Sequence, residues 1–460
     1  MNSQSGGSIS TEARVLSEYI AGAVDRDLPA AVAEKTRHHL LDTIAAMISG
    51  SRLRAGKLAA GYVARLASSA GEATVVGTPL AVPAEFAALA NGIAGHADET
   101  DDSHLAGRFH PGCGIVPAVL AVGEARALGG VEVLRATALG YDVGARLNLA
   151  LGYSDPNNRP GHSTHSLGTA FGAAAAAAAL LRLDPRRVRH VLSYAAQQAS
   201  GVPYWHRDAE HVEKAFDFGG MGARNGVAAA LMVDAGFSGI DDPFSGRNHF
   251  FTAFGEKPAP SELTRELGSR FEIAAASIKK WCVGSPIQSM LDAATALVAQ
   301  HRICADDVRT IRITMPHDRM HIVDDRAMPD VCVQHLAAIA VLDGTVGFAA
   351  AHDVKRMHDQ AVQALRGRMT LIPSPELTVA IPARQAIVEI ELENGKTVRH
   401  HAKAVRGTPD NPMSAQEIEA KALDLMAPVI GEARAEQLIA TVREIEDLRS
   451  ASELRPLVQA

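Results

Sequence analysis

The segment Ala170–Leu181 reads AFGAAAAAAALL, with seven consecutive alanines at 173–179. Alanine is the strongest helix former, because it loses no side-chain entropy on folding and offers no competing polar group. A helix with no polar face has no side to give to water, so it must be buried all round. Methyl-sized side chains also let neighbouring helices approach closely. The chain must therefore build several helices around this one. Composition agrees: hydrophobic residues make up 47% of the 460 residues but aromatics only 4%, so Ala, Leu, Val and Ile carry the apolar volume.

The helices that could surround it are legible as apolar positions at three- and four-residue spacings. They run over 11–25, 29–49, 82–94, 117–128, 134–151, 187–199 and 221–235, with Asp184-Pro185 opening one and Gly236 stopping another. Near residue 255 the texture changes. GEKPAPSEL is a Pro-rich break, and β-like runs follow at 308–315, 377–381 and 386–392, then 397–404 after the turn Glu393-Asn394-Gly395-Lys396. Helices at 286–300 and 335–343 are interleaved with these runs, and Ser414-Ala415-Gln416-Glu417 is a capping box that starts a helical tail. The expected fold is mainly α: a large all-helical domain from 1–260 and 410–460, and a smaller α+β domain from 261–409.

A net charge of −7 argues against a general nucleic-acid binder. Cys113, Cys282, Cys304 and Cys332 form no Cys-x-x-Cys pair, which disfavours a zinc ribbon and fits a reduced, cytoplasmic setting. The N-terminus shows no signal-peptide pattern, and no apolar run reaches the ~20 residues of a spanning helix, so no membrane partner is expected.

Four stretches carry chemistry. HADETDDSH, residues 96–104, crowds four acids and two imidazoles just beyond a helical pattern, where acids oppose the helix dipole. A solvated acidic loop, a Mg²⁺ or Ca²⁺ site and an acid/base site all remain open, although the spacing matches no EF-hand. His110 opens the next apolar helix. RPGHSTHSLGTAFG, residues 159–172, sets Arg159, His162 and His165 at the mouth of the alanine helix, whose first amides attract anions. EKAFDFGGMGARNG, residues 213–226, lacks the third glycine and the preceding strand of a dinucleotide fingerprint, leaving Lys214 ahead of a glycine-loosened helix start. ASIKKWCVGSPIQS, residues 276–289, carries Lys279 and Lys280 ahead of Trp281, a pair that taken alone reads as a solvated face. Cations, imidazoles and acids without a nucleotide signature suit a small polycarboxylate, whose enolate needs positioned cations and a tuned base.

With NGIAGHADETDDSH, HPGCGIVPAVLA, GHSTHSLGTAFGAAAAAA, EKAFDFGGMGARNGVAAALMVDAGF and KKWCVGSPIQSMLDA in this order, the sequence resembles the MmgE/PrpD family. That family includes 2-methylcitrate dehydratase, cis-aconitate decarboxylase and iminodisuccinate epimerase. The resemblance implies a helical domain with an α+β lid, a homodimer, a small carboxylic-acid substrate, and no metal or organic cofactor. Asp101 and Asp102 match family acids, Glu99 stands for a usual Asp and Ser103 for a Thr. His110 and His162 match active-site histidines, and Lys214 and Lys279 match the two active-site lysines. Catalysis is thereby assigned to His110, His162, Glu99, Asp101, Lys214 and Lys279, and substrate binding to Ser103, Asp102, Arg159, His165 and Lys280. His96 is expected only to hold its loop by hydrogen bonds. Dehydration is the expected reaction, with epimerisation or isomerisation, or a cis-aconitate decarboxylase-like reaction, as alternatives; Gly284 stands where the decarboxylase branch carries a His, which weakens only the last of these. A non-catalytic carboxylate binder would share the same residues.

Overall fold

The structure, a computed structural model, describes residues 9–67, 71–155, 157–158 and 160–460. It is mainly helical and divides into two units. The first holds the chain up to residue 97, residues 101–276 and residues 419–460. The second holds residues 98–100 and 277–418.

The first unit is built from α1 (Thr11–Ala21), α2 (Ala30–Gly50), α3 (Arg54–Val63), α4 (Ala84–Gly95), α5 (Pro111–Ala125), α6 (Gly130–Ala150), α7 (Thr164–Leu180), α8 (Pro185–Gln197) and α9 (Met221–Asp234). Side-chain oxygens cap several of them: Ser10 accepts from the Ala13 amide, and Asp184 accepts from the Arg186 and Arg187 amides. The unit is not wholly helical, because Ala73–Thr74 pairs antiparallel with Ala81–Val82. Helix α5 starts at Pro111, directly after His110 as the sequence suggests, and it extends the apolar pattern at Pro117 backward with that proline accommodated inside it. The Asp102 carboxylate anchors this start by accepting the Gly112 N–H at 2.9 Å.

The alanine helix α7 is surrounded by α5, α6, α8 and α9, and every residue from Phe171 to Ala179 is buried. Its neighbours touch it backbone to backbone. A Cβ on Gly172 would lie 2.5 Å from the Gly140 carbonyl oxygen, and one on Gly226 would lie 2.6 Å from the Ala174 nitrogen. The absence of side chains at these crossings is what allows the close packing that the alanine run demands.

The second unit is built on a four-stranded sheet of β1 (Val308–Pro316), β2 (Met369–Ser374), β3 (Ala386–Leu392) and β4 (Thr397–Ala402), in the order β2-β1-β3-β4. Strands β1 and β2 are parallel; the other pairs are antiparallel. Ile311 and Ile313 on β1, with Val388 and Ile390 on β3, share one core with Leu291 of α10 (Gln288–His301) and Leu336 of α11 (Val333–Asp343). The strand expected at 377–381 is absent. Pro375–Thr378 is a helical turn capped by Ser374, which accepts the Leu377 N–H at 3.1 Å, and the strand lies just before it. Ser414 and Glu417 exchange the expected capping-box hydrogen bonds at 3.3 and 2.9 Å, opening α12 (Ala415–Ile430). Among the described residues no helix is long and apolar enough to cross a membrane.

Candidate functional site

In the first unit, Asp101 sits at the centre of an imidazole cluster. It is fully buried, and both of its oxygens lie 2.9 Å from Nδ1 of His96, while Oδ1 lies 3.1 Å from Nδ1 of His110. Burial alone would raise the Asp101 pKa. The electrostatic pull and the hydrogen bonds of His96 and His110 overcome this and hold it well below the usual carboxylate range. An ionised carboxylate accepting both Nδ1–H groups selects the tautomer of each ring and leaves each Nε2 for chemistry. The two rings meet edge to face, with centroids 4.9 Å apart. His96 is sealed, with none of its side chain exposed, whereas His110 keeps 11% of its side chain exposed. Of this pair, His110 is the ring open to a substrate.

Phe218 lines the cluster. His165 stacks on it at 3.5 Å between centroids and His96 at 4.4 Å, while His110 lies 5.5 Å from His165. Burial, followed by the neighbouring charges of His110, His96 and Lys214, pushes the His165 pKa well below its ordinary value, so the ring is neutral at pH 7. Lys214 places Nζ 5.2 Å from the Phe218 ring centroid and 5.8 Å from that of Trp205. Lys214 and Phe218 reach the same place because a short helix, Val212–Ala215, runs directly into a π-helical turn, Phe216–Gly220. Such turns re-aim side chains and recur at functional sites.

Several assigned residues lie outside this cluster. His162 bonds through Nε2 to the Tyr153 hydroxyl and meets Phe254 edge-on at 5.6 Å; it is His165 that meets the other rings. Arg159 lies outside the described residues. The Asp102 carboxylate is committed to its own unit: Oδ2 accepts from His39 Nδ1 at 2.6 Å and from the Tyr141 hydroxyl at 2.7 Å, and Oδ1 takes the Gly112 amide. It anchors the start of α5, directly after His110. Ser103 is buried next to His104, whose backbone pairs with Phe109. A ring nitrogen of His96, a carboxylate oxygen of Asp101 and the Cys113 sulfur lie within 4.8 Å of one another; in the structure His96 Nδ1 hydrogen-bonds Asp101 and Cys113 donates to the His110 carbonyl at 3.2 Å.

In the second unit, Lys279 is buried and donates to the Glu99 carbonyl oxygen at 2.8 Å, with the Glu99 carboxylate 3.5 Å away. Lys280 instead lies over the Trp281 ring, 4.4 Å from its centroid. Gly284 donates its N–H to the Asp330 carbonyl at 3.0 Å.

The MmgE/PrpD N-terminal domain profile matches residues 14–263, and the MmgE/PrpD C-terminal domain profile matches residues 281–447. The chain belongs to the MmgE/PrpD family. It is similar to the cis-aconitate decarboxylase-like protein oryM of Aspergillus oryzae, at 27% identity over 96% of each chain. It is 25% identical to the cis-aconitate decarboxylase of Homo sapiens, over 93% of this chain and 90% of that one. It is 26% identical to that of Mus musculus, over 86% and 83%.

Within this MmgE/PrpD chain, the residues that sequence reasoning passed over are the partners. His96 was given only a loop-holding role, yet it shares the Asp101 carboxylate with His110. Phe218 lay in a quoted motif, where an aromatic beside a glycine pair was the available signal. His39 and Tyr141 have no local signal at all, since each lies about 40 to 60 residues from Asp102, and sequence spacing carries no information on such contacts.

Proposed function

We propose that this chain is a lyase that moves a proton at the carbon α to a carboxylate of a small di- or tricarboxylate. The observation that carries this reading is Asp101 holding His110 and His96 through Nδ1, with His110 the exposed ring. In this reading the Nε2 of His110 exchanges the proton, and Asp101 stabilises the imidazolium that forms. Neutral His165 supplies a further hydrogen-bonding ring, while Lys214 and Lys279 hold substrate carboxylates and offset the dianionic charge that develops on the enolate. Glu99 keeps Lys279 in place until substrate arrives. Asp102 acts from behind, fixing the helix start beside His110. The reading includes a homodimer.

Dehydration is the first outcome. The α-proton passes to His110, its electron pair forms the carbon–carbon double bond, and the β-hydroxyl leaves with a proton as water. Gly284 supports it, because a glycine offers no imidazole at the position where the resemblance places one in the decarboxylase branch. Decarboxylation is the second reading, favoured by the printed names of the relatives. There the carbon–carboxylate bond breaks, carbon dioxide leaves, and the electron pair takes a proton from His110.

Two variants test the assignment of the base. His110→Gln should lower kcat by about 10²- to 10⁴-fold, the usual contribution of a general acid or base. His162→Ala, which removes the ring bonded to Tyr153, should change kcat by less than about tenfold. The reverse ranking would transfer the role to His162.

A further inference from the structure

Asp98 is a buried carboxylate, 5% exposed, that the proposed chemistry does not use. It is densely satisfied: it accepts from the Thr100 amide and from the Thr100 hydroxyl, each at 2.8 Å, and lies 2.9 Å from Nε2 of His352. The other nitrogen of His352, Nδ1, faces the Phe348 carbonyl oxygen at 2.8 Å, and the Phe348 ring covers the imidazole at 4.2 Å between centroids. A carbonyl oxygen beside Nδ1 and a carboxylate at ion-pair distance from Nε2, although not aligned as a hydrogen bond, together favour the imidazolium form of His352. Asp330 is the second carboxyl near the ring. Burial lowers the His352 pKa, but the adjacent Asp98 carboxylate, with Asp330, outweighs it and raises the value to about 9. Burial likewise opposes ionisation of Asp98, yet His352 and Thr100 hold its pKa below the ordinary value. Asp330, with burial dominant, is pushed up to about 6.

Glu99 lies between the two residues of this turn, with its carbonyl oxygen on Lys279. We propose that His352 is a positioning residue: its charged ring locks the turn Asp98–Thr100 and thereby fixes Glu99 against Lys279. The proposal rests on the reading that gives Lys279 and Glu99 a part in handling the substrate carboxylate. It also accounts for an acid at a position where the sequence offers no local compensation, because the compensating cation comes from a residue more than 250 positions away.

The test uses the full chain, with His352→Gln and Asp98→Asn as variants. His352→Gln keeps polar ends of similar reach but carries no charge. Selective ¹³C labelling of histidine should show His352 doubly protonated at pH 7 in the wild type, titrating near pH 9, with the midpoint falling below that in Asp98→Asn. A ring that is neutral at pH 7 overturns the lock, whether or not a substrate is known. In turnover assays kcat should fall about 10- to 100-fold in either variant, the scale of a small misplacement of a reacting group. KM should change less, and the wild type should lose activity as pH rises through about 9 while His352→Gln shows no such limb. Wild-type kcat in a folded His352→Gln, together with an unchanged alkaline limb, would also overturn it. Because the folded pKa is raised, the stabilisation is complete below the ordinary histidine value of about 6.5 and lost as pH rises through about 9. The melting temperatures of wild type and His352→Gln should therefore converge at pH 10. If wild-type protein turns over no carboxylate but the ring titrates near pH 9, the functional reading fails and the lock stands.

Discussion

Replacing Asp101 by Asn should disarm the imidazole cluster without emptying it. The carboxylate accepts from Nδ1 of both His96 and His110, at 2.9 and 3.1 Å. An amide of the same shape keeps one accepting oxygen and puts a donating NH₂ where the other stood, and a ring whose Nδ1–H faces that NH₂ loses its acceptor. Such a ring is driven toward the opposite tautomer, with Nε2 blocked by hydrogen. The imidazolium formed in the reaction also loses its counter-charge. Together these should lower kcat by about 10²- to 10⁴-fold, or about 3–5 kcal/mol on the barrier. The assay is steady-state turnover of the best carboxylate, alongside a thermal melt to show that the variant folds. Stability gives a second readout. Because the folded pKa of Asp101 is depressed, its contribution is complete above the unfolded carboxylate value of about 3.9 and is lost as pH falls through the lower folded value. The melting-temperature gap between wild type and Asp101→Asn should therefore narrow below about pH 4. Turnover within tenfold of wild type would refute the argument that this carboxylate sets the tautomers.

Three further substitutions probe other parts of the account. Gly172→Val would drive a side chain to 2.5 Å from the Gly140 carbonyl oxygen and 2.8 Å from Ile115, so it should cost about 1–3 kcal/mol or more in a denaturant melt; an unchanged midpoint would contradict the close packing of α7. Asp102→Asn should leave one of the His39, Tyr141 and Gly112 donors poorly met and cost about 1–3 kcal/mol by the same melt, with full wild-type stability as the contrary result. Lys214→Met should raise KM at least tenfold while the protein stays folded, since it removes a cation from the wall of the cluster; an unchanged KM would remove Lys214 from substrate binding.

The helical part of the fold was legible because its physics is local. Seven alanines in a row admit few environments, and the caps at Asp184 and Ser414 lie within a turn of the amides they serve. The stretch 377–381 misled for a complementary reason. Its apolar alternation suits a strand, but Ser374-Pro375 caps a helical turn there, and the pairing edge of β1 is taken by Met369–Ser374. At the site, sequence order brought out the right residue types but not which imidazole goes where. His162 and His165 are three residues apart at the start of one helix, yet one meets Tyr153 and the other Phe218. HADETDDSH looks like a single acidic run, but its acids have separate partners: His352 for Asp98, Lys279 for Glu99, two histidines for Asp101, and His39 with Tyr141 for Asp102. Those partners come from distant parts of the chain, so composition within the run carries no trace of them.

The central claim is that His110 and its neighbours move a proton on carbon. Proton NMR of the purified protein in D₂O, with a panel of citrate-like, malate-like and aconitate-like acids, tests it most directly. The account predicts deuterium entering at the carbon α to a carboxylate, with new vinyl signals for dehydration or loss of a carboxylate for decarboxylation. Tight binding of such an acid with no exchange at any carbon would contradict the account and leave a carboxylate-binding protein in its place.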